Sequence, residues 1–304
     1  MRVPPAIEAR RLHKWYGDVH AVDAVNLTID EGEVFCLLGP NGAGKSTTVE
    51  ILEGHRPRSS GEVSVLGYDP QTGGRPFRER IGIVLQQQAV EDVLTVREAL
   101  ELYASMFPKQ RSVDELIDVV GLRPKAKRRI RTLSGGQRRR LELALGMVGD
   151  PDVLFLDEPT TGFDPSARRQ AWTVVEGLSS LGKTVLLTTH YMDEAQNLAD
   201  RVAVISAGNI IAEGTPATVG GRGSAASRIS FRVSANRPFD LPDDLSVDRT
   251  EDGELTVTTT DPTRDLYRLT GWALDAGFNL DRLEVRQPSL EDVYLELIGE
   301  EAGE

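Results

Sequence analysis

The sequence is poor in cysteine, with one among its 304 residues. A disulfide within the chain and a zinc site built on two or four cysteines are therefore excluded, and Cys36 is expected to be a small buried residue of a strand. No run approaches the roughly 18 consecutive apolar residues that a membrane-spanning helix requires. The N-terminal residues also lack the apolar segment of a secretory signal, so we expect the chain in the cytosol.

Basic residues are scarce near the end of the chain. Residues 241–304 contain 17 acidic and 5 basic residues, a difference that equals the net charge of −12 of the whole chain. Residues 121–140 show the opposite bias, with nine Arg or Lys and no acidic residue. This change in composition along the chain suggests two domains.

Apolar periodicity predicts a different architecture for each domain. Short apolar runs typical of buried strands occur at 34–38, 153–156, 185–189 and 202–205. They alternate with amphipathic stretches such as 113–120, where apolar residues recur at helical spacing. This alternation predicts an α/β domain with a mainly parallel sheet.

A segment rich in glycine and other small residues, 215–224, is expected to contain a linker. The residues after it predict a small α+β domain. Its expected strands are 229–233, 254–259 and 280–285, and its expected helices are 264–276 and 289–298.

A glycine-rich segment fits the pattern G-x-x-x-x-G-K-[ST] between the apolar run 34–38 and a helical stretch. With the residue that follows, it comprises Gly39, Pro40, Asn41, Gly42, Ala43, Gly44, Lys45, Ser46 and Thr47. Its backbone N–H groups can surround phosphate oxygens at the positive end of the helix. Lys45 would reach the β- and γ-phosphates, and the Ser46 hydroxyl would ligate Mg²⁺. The strand and helix on either side favour phosphate binding over a chance glycine-rich turn.

The apolar run 153–156 ends in two adjacent carboxylates, Asp157 and Glu158. Neighbouring side chains of a strand point to opposite faces, so the two acids are expected to have different roles. We predict that Asp157 holds Mg²⁺ through its hydration shell and that Glu158 accepts a proton from the attacking water.

A third motif, Leu133-Ser134-Gly135-Gly136-Gln137, lies between the first two and precedes a helical stretch. It would form a second anion-binding turn at a helix start. The order and spacing of the three motifs closely resemble the ATP-binding-cassette (ABC) family, from about residue 7 to residue 216. The resemblance implies the cassette fold, an α/β P-loop NTPase core with an antiparallel β subdomain and a helical subdomain at about 87–145.

The resemblance assigns further residues one at a time. Tyr16 resembles the aromatic residue that stacks on adenine. Gln86 resembles the glutamine that contacts Mg²⁺ and the attacking water, and His190 the switch histidine that contacts the γ-phosphate. Asp164, in Gly162-Phe163-Asp164-Pro165, matches a loop at the dimer contact and also suits a helix N-cap.

The resemblance also implies a mechanism. Two cassettes pack head to tail as a homodimer, and each ATP, with Mg²⁺, lies between the phosphate loop of one copy and Ser134, Gly135, Gly136 and Gln137 of the other. Binding of ATP closes the dimer, and hydrolysis reopens it. The implied organisation is a nucleotide-binding domain at 1–217, a linker at 218–227 and an accessory domain at 228–304.

The segment 288–297 resembles the closing part of cassettes of the daunorubicin/doxorubicin-resistance type of exporter. We therefore expect the ATPase subunit of a multidrug exporter, working with a separate integral-membrane permease on the cytoplasmic side of the plasma membrane. The basic stretch 121–140 is interpreted first as solvated surface and next as a contact for acidic groups of the permease or for lipid head groups. An importer ATPase and a soluble ABC ATPase acting on ribosomes or DNA remain alternatives. Specific nucleic-acid binding is disfavoured, because the chain is acidic overall.

Overall fold

The computed structural model describes residues 4–84, 90–234, 245–249 and 253–301. The chain forms two compact units, Met1–Pro216 and Ala217–Glu304. The domain and linker bounds 1–217, 218–227 and 228–304 stay predictions. In the described ranges, no helix combines the length and apolarity needed to cross a bilayer.

The first unit contains nine described strands and seven described α-helices. The strands are β1 (Ile7–Tyr16), β2 (Val19–Ile29), β3 (Val34–Leu38), β4 (Ser60–Val65), β5 (Ile81–Val84), β6 (Val153–Asp157), β7 (Thr184–Thr189), β8 (Arg201–Ser206) and β9 (Asn209–Gly214). The helices are α1 (Lys45–Leu52), α2 (Gly74–Arg78), α3 (Val96–Ala104), α4 (Val113–Val119), α5 (Gly135–Met147), α6 (Pro165–Ser180) and α7 (Met192–Leu198). The strands predicted from the four apolar runs and the helix predicted at 113–120 are confirmed.

The central sheet has the strand order β5-β6-β7-β3-β8-β9. All neighbours are parallel except β8 and β9, which confirms the mainly parallel sheet. Every residue of β3 and β7 is buried, because both faces of such a sheet are covered. Cys36 is fully buried in β3, as predicted. The carboxyl ends of β3, β6 and β7 lie at one edge of the sheet, since Leu38 pairs with Thr189 and Asp157 with Thr188.

The remaining strands of the first unit form an antiparallel sheet of order β2-β1-β4. The predicted helical subdomain, 87–145, contains α3, α4 and most of α5. Side-chain hydroxyl groups cap all three helices, and Thr95 begins α3 in a capping box with Glu98. These caps explain why the helices begin where they do.

The described residues of the second unit form a four-stranded antiparallel sheet and two α-helices. In chain order its elements are β10 (Ser227–Ser234), β11 (Val247–Arg249), β12 (Leu255–Thr259), α8 (Pro262–Ala276), β13 (Asn279–Arg286) and α9 (Leu290–Glu301). The strand order is β11-β12-β10-β13, and the core includes Ile229, Phe231, Leu255, Val257 and Leu269. The predicted strands and helices are confirmed, whereas the three-residue strand β11 has too short an apolar pattern to predict. Within the predicted linker, Val219–Ser224 forms a short 3₁₀ segment.

Candidate functional site

The glycine-rich loop turns between β3 and α1, and steric contacts fix two of its glycines. A Cβ on Gly44 would lie 2.3 Å from the carbonyl oxygen of Ala21, and the φ of Gly44 is +102°. A Cβ on Gly39 would lie 2.3 Å from the carbonyl oxygen of Ile205. No side chain fits at these distances, so the close approach of the backbone requires glycine at both positions.

Lys45 begins α1, and its side chain folds back over the loop. Its Nζ donates to the carbonyl oxygens of Gly39 (2.8 Å) and Pro40 (3.1 Å) and lies 3.8 Å from Glu158 Oε1. The side chain is only 5% exposed. Burial lowers the pKa of Lys45, and the nearby carboxylates of Glu158 and Asp157 oppose that shift. The ammonium group is therefore held in place beside the loop by fixed acceptors.

Asp157, at the end of β6, faces the hydroxyl group of Ser46. Ser46 Oγ is 3.4 Å from both carboxylate oxygens of Asp157, and Thr188 Oγ1 donates to Asp157 Oδ1 at 2.5 Å. These groups offer only oxygen atoms, which is the donor set that Mg²⁺ prefers. Ser46 and Asp157 therefore suit a magnesium ion that keeps several water ligands.

Glu158 follows β6 in an unusual backbone conformation, with φ of +45°. Its backbone N–H donates to the carbonyl oxygen (3.2 Å) and Oγ1 (3.0 Å) of Thr188. The carboxylate accepts from Thr161 Oγ1 (3.1 Å), and its Oε1 lies 3.2 Å from His190 Nδ1. A left-handed residue other than glycine is strained, and such strain concentrates at functional sites. The 3.2 Å separation of Glu158 Oε1 from His190 Nδ1 places the predicted base and the predicted switch histidine in direct contact.

A cleft of about 520 Å³ brings eight of the predicted site residues together. Its lining comprises Ala21, Asn41, Gly42, Gly44, Lys45, Ser46, Thr47, Glu158, Thr161 and His190. Tyr16 is outside this lining; the residue is 42% exposed, with Lys14 Nζ 5.1 Å and Arg56 Cζ 5.5 Å from its ring centre. Gln86 lies outside the described residues.

The third motif forms the start of α5. Ser134 Oγ accepts from the Gln137 N–H (3.3 Å), and Gln137 Oε1 accepts from the Ser134 N–H (3.1 Å), which makes a capping box. Asp164 caps α6 by accepting from the N–H groups of Ser166 and Ala167, both at 2.9 Å. Both helix starts line a second cleft, of about 470 Å³, together with Gly135, Gly136 and Phe163. The two clefts share no lining residue.

Several residues near the site were not predicted from the sequence. Thr188 and Thr161 hold the two carboxylates, and the polar end of the β7 run is a signal that could have indicated Thr188. Glu53 is 3% exposed, and burial, more than the nearby Asp157 and Glu50, raises its pKa to about 8. An acid at the end of a helical pattern gives no signal of such burial.

The interpretation of 121–140 as solvated surface is wrong for Arg139. Arg123, Lys127, Arg128, Arg129 and Arg131 are exposed, but Arg139 is only 6% exposed. It can be buried because Glu142 pairs with it at 2.9 Å and three carbonyl oxygens accept its N–H groups.

Comparison with family models gives two matches. The model described as "ABC transporter" matches residues 22–161, which include the glycine-rich loop, the start of α5 and both carboxylates. The model described as "ABC transporter domain-containing protein-like, C-terminal domain" matches residues 227–289.

Two relatives are similar in sequence to this chain over nearly its whole length. The daunorubicin/doxorubicin resistance ATP-binding protein DrrA of Streptomyces peucetius is 40% identical, over 98% of this chain and 93% of its own. The Nod factor export ATP-binding protein I of Sinorhizobium fredii is 39% identical, over 97% and 87%. Among solved structures, the dimeric post-hydrolysis state of the ATP-binding cassette MJ0796 bound to ADP and Pi has a TM-score of 0.62 and 26% identity, over 69% of this chain and 98% of that one.

A second solved structure is also similar to this chain. It is cbiO1 of Clostridium perfringens, part of the ABC transporter complex cbiONQ, with a TM-score of 0.63 and 29% identity over 71% of this chain and 90% of that one. The structural likeness confirms the cassette fold. From its motifs, its fold and its relatives, this chain belongs to the ABC transporter family, as an ATP-binding subunit with ATPase activity.

Proposed function

We propose that this chain powers the export of drugs, antibiotics or other amphiphilic compounds through a separate integral-membrane permease. Two copies close head to tail on two ATP molecules, each with Mg²⁺, and reopen after hydrolysis. The chain then lies on the cytoplasmic side of the plasma membrane, attached through the permease. The observation that carries the head-to-tail arrangement is the separation of the two clefts within one unit.

The first cleft has the groups that grip a triphosphate, namely the loop, Lys45 and Ser46. The second has a helix start with Ser134, Gly135 and Gly136, which favours an anion but has no lysine or carboxylate pair. The two clefts of one copy have no residue in common. A nucleotide bound in the first cleft therefore leaves the second cleft of the same copy without a ligand. A second copy in head-to-tail orientation uses both clefts twice.

The residues of the first cleft have distinct tasks in hydrolysis. Lys45 neutralises charge on the β- and γ-phosphates, and a magnesium ion held by Ser46 and Asp157 would supply further charge neutralisation. Glu158 accepts the proton of the attacking water, and His190, whose Nδ1 lies 3.2 Å from Glu158 Oε1, contacts the γ-phosphate. Tyr16, which is exposed, stacks on adenine. Gln86 is assigned to the water and the metal by resemblance alone.

Export through a permease is supported by the relatives. One relative is a daunorubicin/doxorubicin resistance protein and another a Nod factor export protein, and each is similar to almost the whole chain. Residues 227–289 also match a family model of a C-terminal domain, so the likeness to ABC transporter proteins includes the proposed accessory domain. The exposed arginines and lysines of 121–140 suit acidic groups of a permease or lipid head groups.

The composite site predicts the effect of Ser134→Arg. Ser134 is exposed, so the larger cationic side chain can extend into solvent. It removes the cap of α5, at a cost of about 1 kcal/mol, and occupies the surface that covers the partner's nucleotide. We expect ATP binding by the monomer to stay within about twofold of wild type and the ATP-dependent dimer to disappear in analytical ultracentrifugation. Ser180→Arg is the matched control, because Ser180 is exposed at the end of α6 outside both clefts. A full ATP-dependent dimer of Ser134→Arg would contradict the composite site.

Co-elution tests the transport proposal. The full chain, tagged and expressed in its own cell type, is purified in detergent, and its partners are identified by mass spectrometry. We expect an integral-membrane permease in stoichiometric amount. Recovery of ribosomes or DNA in its place would favour the soluble alternatives, and a permease with an extracellular substrate-binding protein would favour an importer.

A further inference from the structure

Arg139 lies on α5, five residues after Ser134, and its guanidinium group points at the turn that follows β6. Nε donates to the Pro159 carbonyl oxygen (3.0 Å), and Nη2 donates to those of Asp157 (3.1 Å) and Glu158 (3.4 Å). Nη1 donates to Glu142 Oε2 at 2.9 Å on the same helix. One side chain therefore contacts the backbone of three consecutive residues around the proposed base.

The turn that Arg139 contacts is held from two sides. On one side, Thr188 accepts the Glu158 N–H and donates to the Asp157 carboxylate. On the other side, the Arg139 fork binds the carbonyl oxygens of the same residues. Glu158 has a positive φ between these contacts, so a shift of α5 changes the direction of its carboxylate.

A purely stabilising role explains these contacts poorly. Burying an arginine and a glutamate removes both charges from water, and a well-packed apolar pair in the same space is often at least as stable. Arg138 and Arg140 on the same helix make different contacts, with Asp92 and with the Val120 carbonyl oxygen. The planar fork of Arg139 matches several fixed acceptors at once, which a lysine cannot do.

We infer that Arg139 is a positioning residue that couples the two half-sites of one chain. It connects Glu158, which serves the ATP held by its own chain, with the helix whose start covers the ATP of the partner. When the partner's ATP occupies the second cleft, α5 is displaced or held more rigidly. Arg139 transmits that change to Glu158. This inference rests on the proposed head-to-tail dimer, and it adds a route by which each copy senses whether its partner is loaded.

Arg139→Lys tests the inference in the full-length chain. Lysine keeps the ion pair with Glu142 but loses the fork to the three carbonyl oxygens. We expect the ATPase kcat per nucleotide-binding site to fall about tenfold and the Hill coefficient for ATP to fall toward 1, while the affinity of the monomer for ATP stays within about twofold. A residue that only stabilises the fold lowers the number of binding sites but leaves the Hill coefficient unchanged.

Arg138→Lys, on the same helix, is the matched control and should leave both quantities unchanged. If Arg139→Lys does not fold, the double variant Arg139→Met with Glu142→Leu removes the contacts together with both buried charges, and it should show the same loss of cooperativity. Wild-type kcat and Hill coefficient in either folded variant would overturn the inference. Failure of the proposed dimer is recognised separately, because wild-type protein would then show no ATP-dependent dimer in ultracentrifugation.

Discussion

Lys45→Ala is expected to abolish detectable ATP binding. Lys45 Nζ is held by the carbonyl oxygens of Gly39 and Pro40 in the loop that is proposed to bind the phosphates. Removing one partner of a buried charge contact costs about 2–5 kcal/mol, and each 1.4 kcal/mol is about tenfold in affinity. Isothermal titration with ATP and Mg²⁺ should therefore show a loss of about 10²-fold or more.

The control for this variant is Lys109→Ala. Lys109 is an exposed lysine that pairs with Asp150 away from the cleft, so its loss should leave ATP binding unchanged. Thermal unfolding of Lys45→Ala without nucleotide separates a loss of binding from a loss of fold. A folded Lys45→Ala protein with wild-type affinity would remove the assignment of the phosphate loop.

Glu158→Gln is expected to keep ATP binding and to lower turnover by at least about 10²–10³, the effect of losing a positioned base. Glutamine has the same shape and can still accept from Thr161, so the turn after β6 keeps its contacts. It cannot take a proton from water at neutral pH. Single-turnover hydrolysis, measured with the protein in excess over ATP and above its Kd, separates this chemical step from binding and product release.

Asp152→Asn is the matched control, because Asp152 precedes β6 at the opposite end of the strand and pairs with Arg80. Its turnover should equal that of wild type. Because Glu158→Gln should hold ATP without hydrolysing it, we also expect this variant to accumulate the closed dimer in ultracentrifugation. Near-normal hydrolysis by Glu158→Gln would assign the base to another residue.

Local pattern made much of the fold predictable. The strands β3, β6, β7 and β8 are continuous apolar runs, because a parallel strand is covered on both faces. The glycine-rich loop was recognisable from its pattern, and backbone contacts of 2.3 Å require two of its glycines, Gly39 and Gly44. Asp157 and Glu158 are neighbours in the sequence at the end of β6, so their location at the carboxyl end of a strand was predictable as well.

The features that could not be predicted from the sequence depend on tertiary contacts. Arg139 lies within a run of three arginines, and only the approach of α5 to the turn after β6 distinguishes it from its neighbours. Glu53 is buried by packing around the end of α1, which its local sequence does not indicate. The three residues of β11 acquire their pattern only by pairing with β12.

Serine, and not aspartate, begins α5, although the two residues cap helices about equally well. A hydroxyl group has one proton to give and two lone pairs, and the cap with Gln137 N–H uses a lone pair. A carboxylate would cap the helix but repel an incoming triphosphate. In the proposed dimer, the same oxygen can therefore keep the helix intact and hold the neighbouring subunit's nucleotide, so repeated cycles of closing and opening need not fray the helix end.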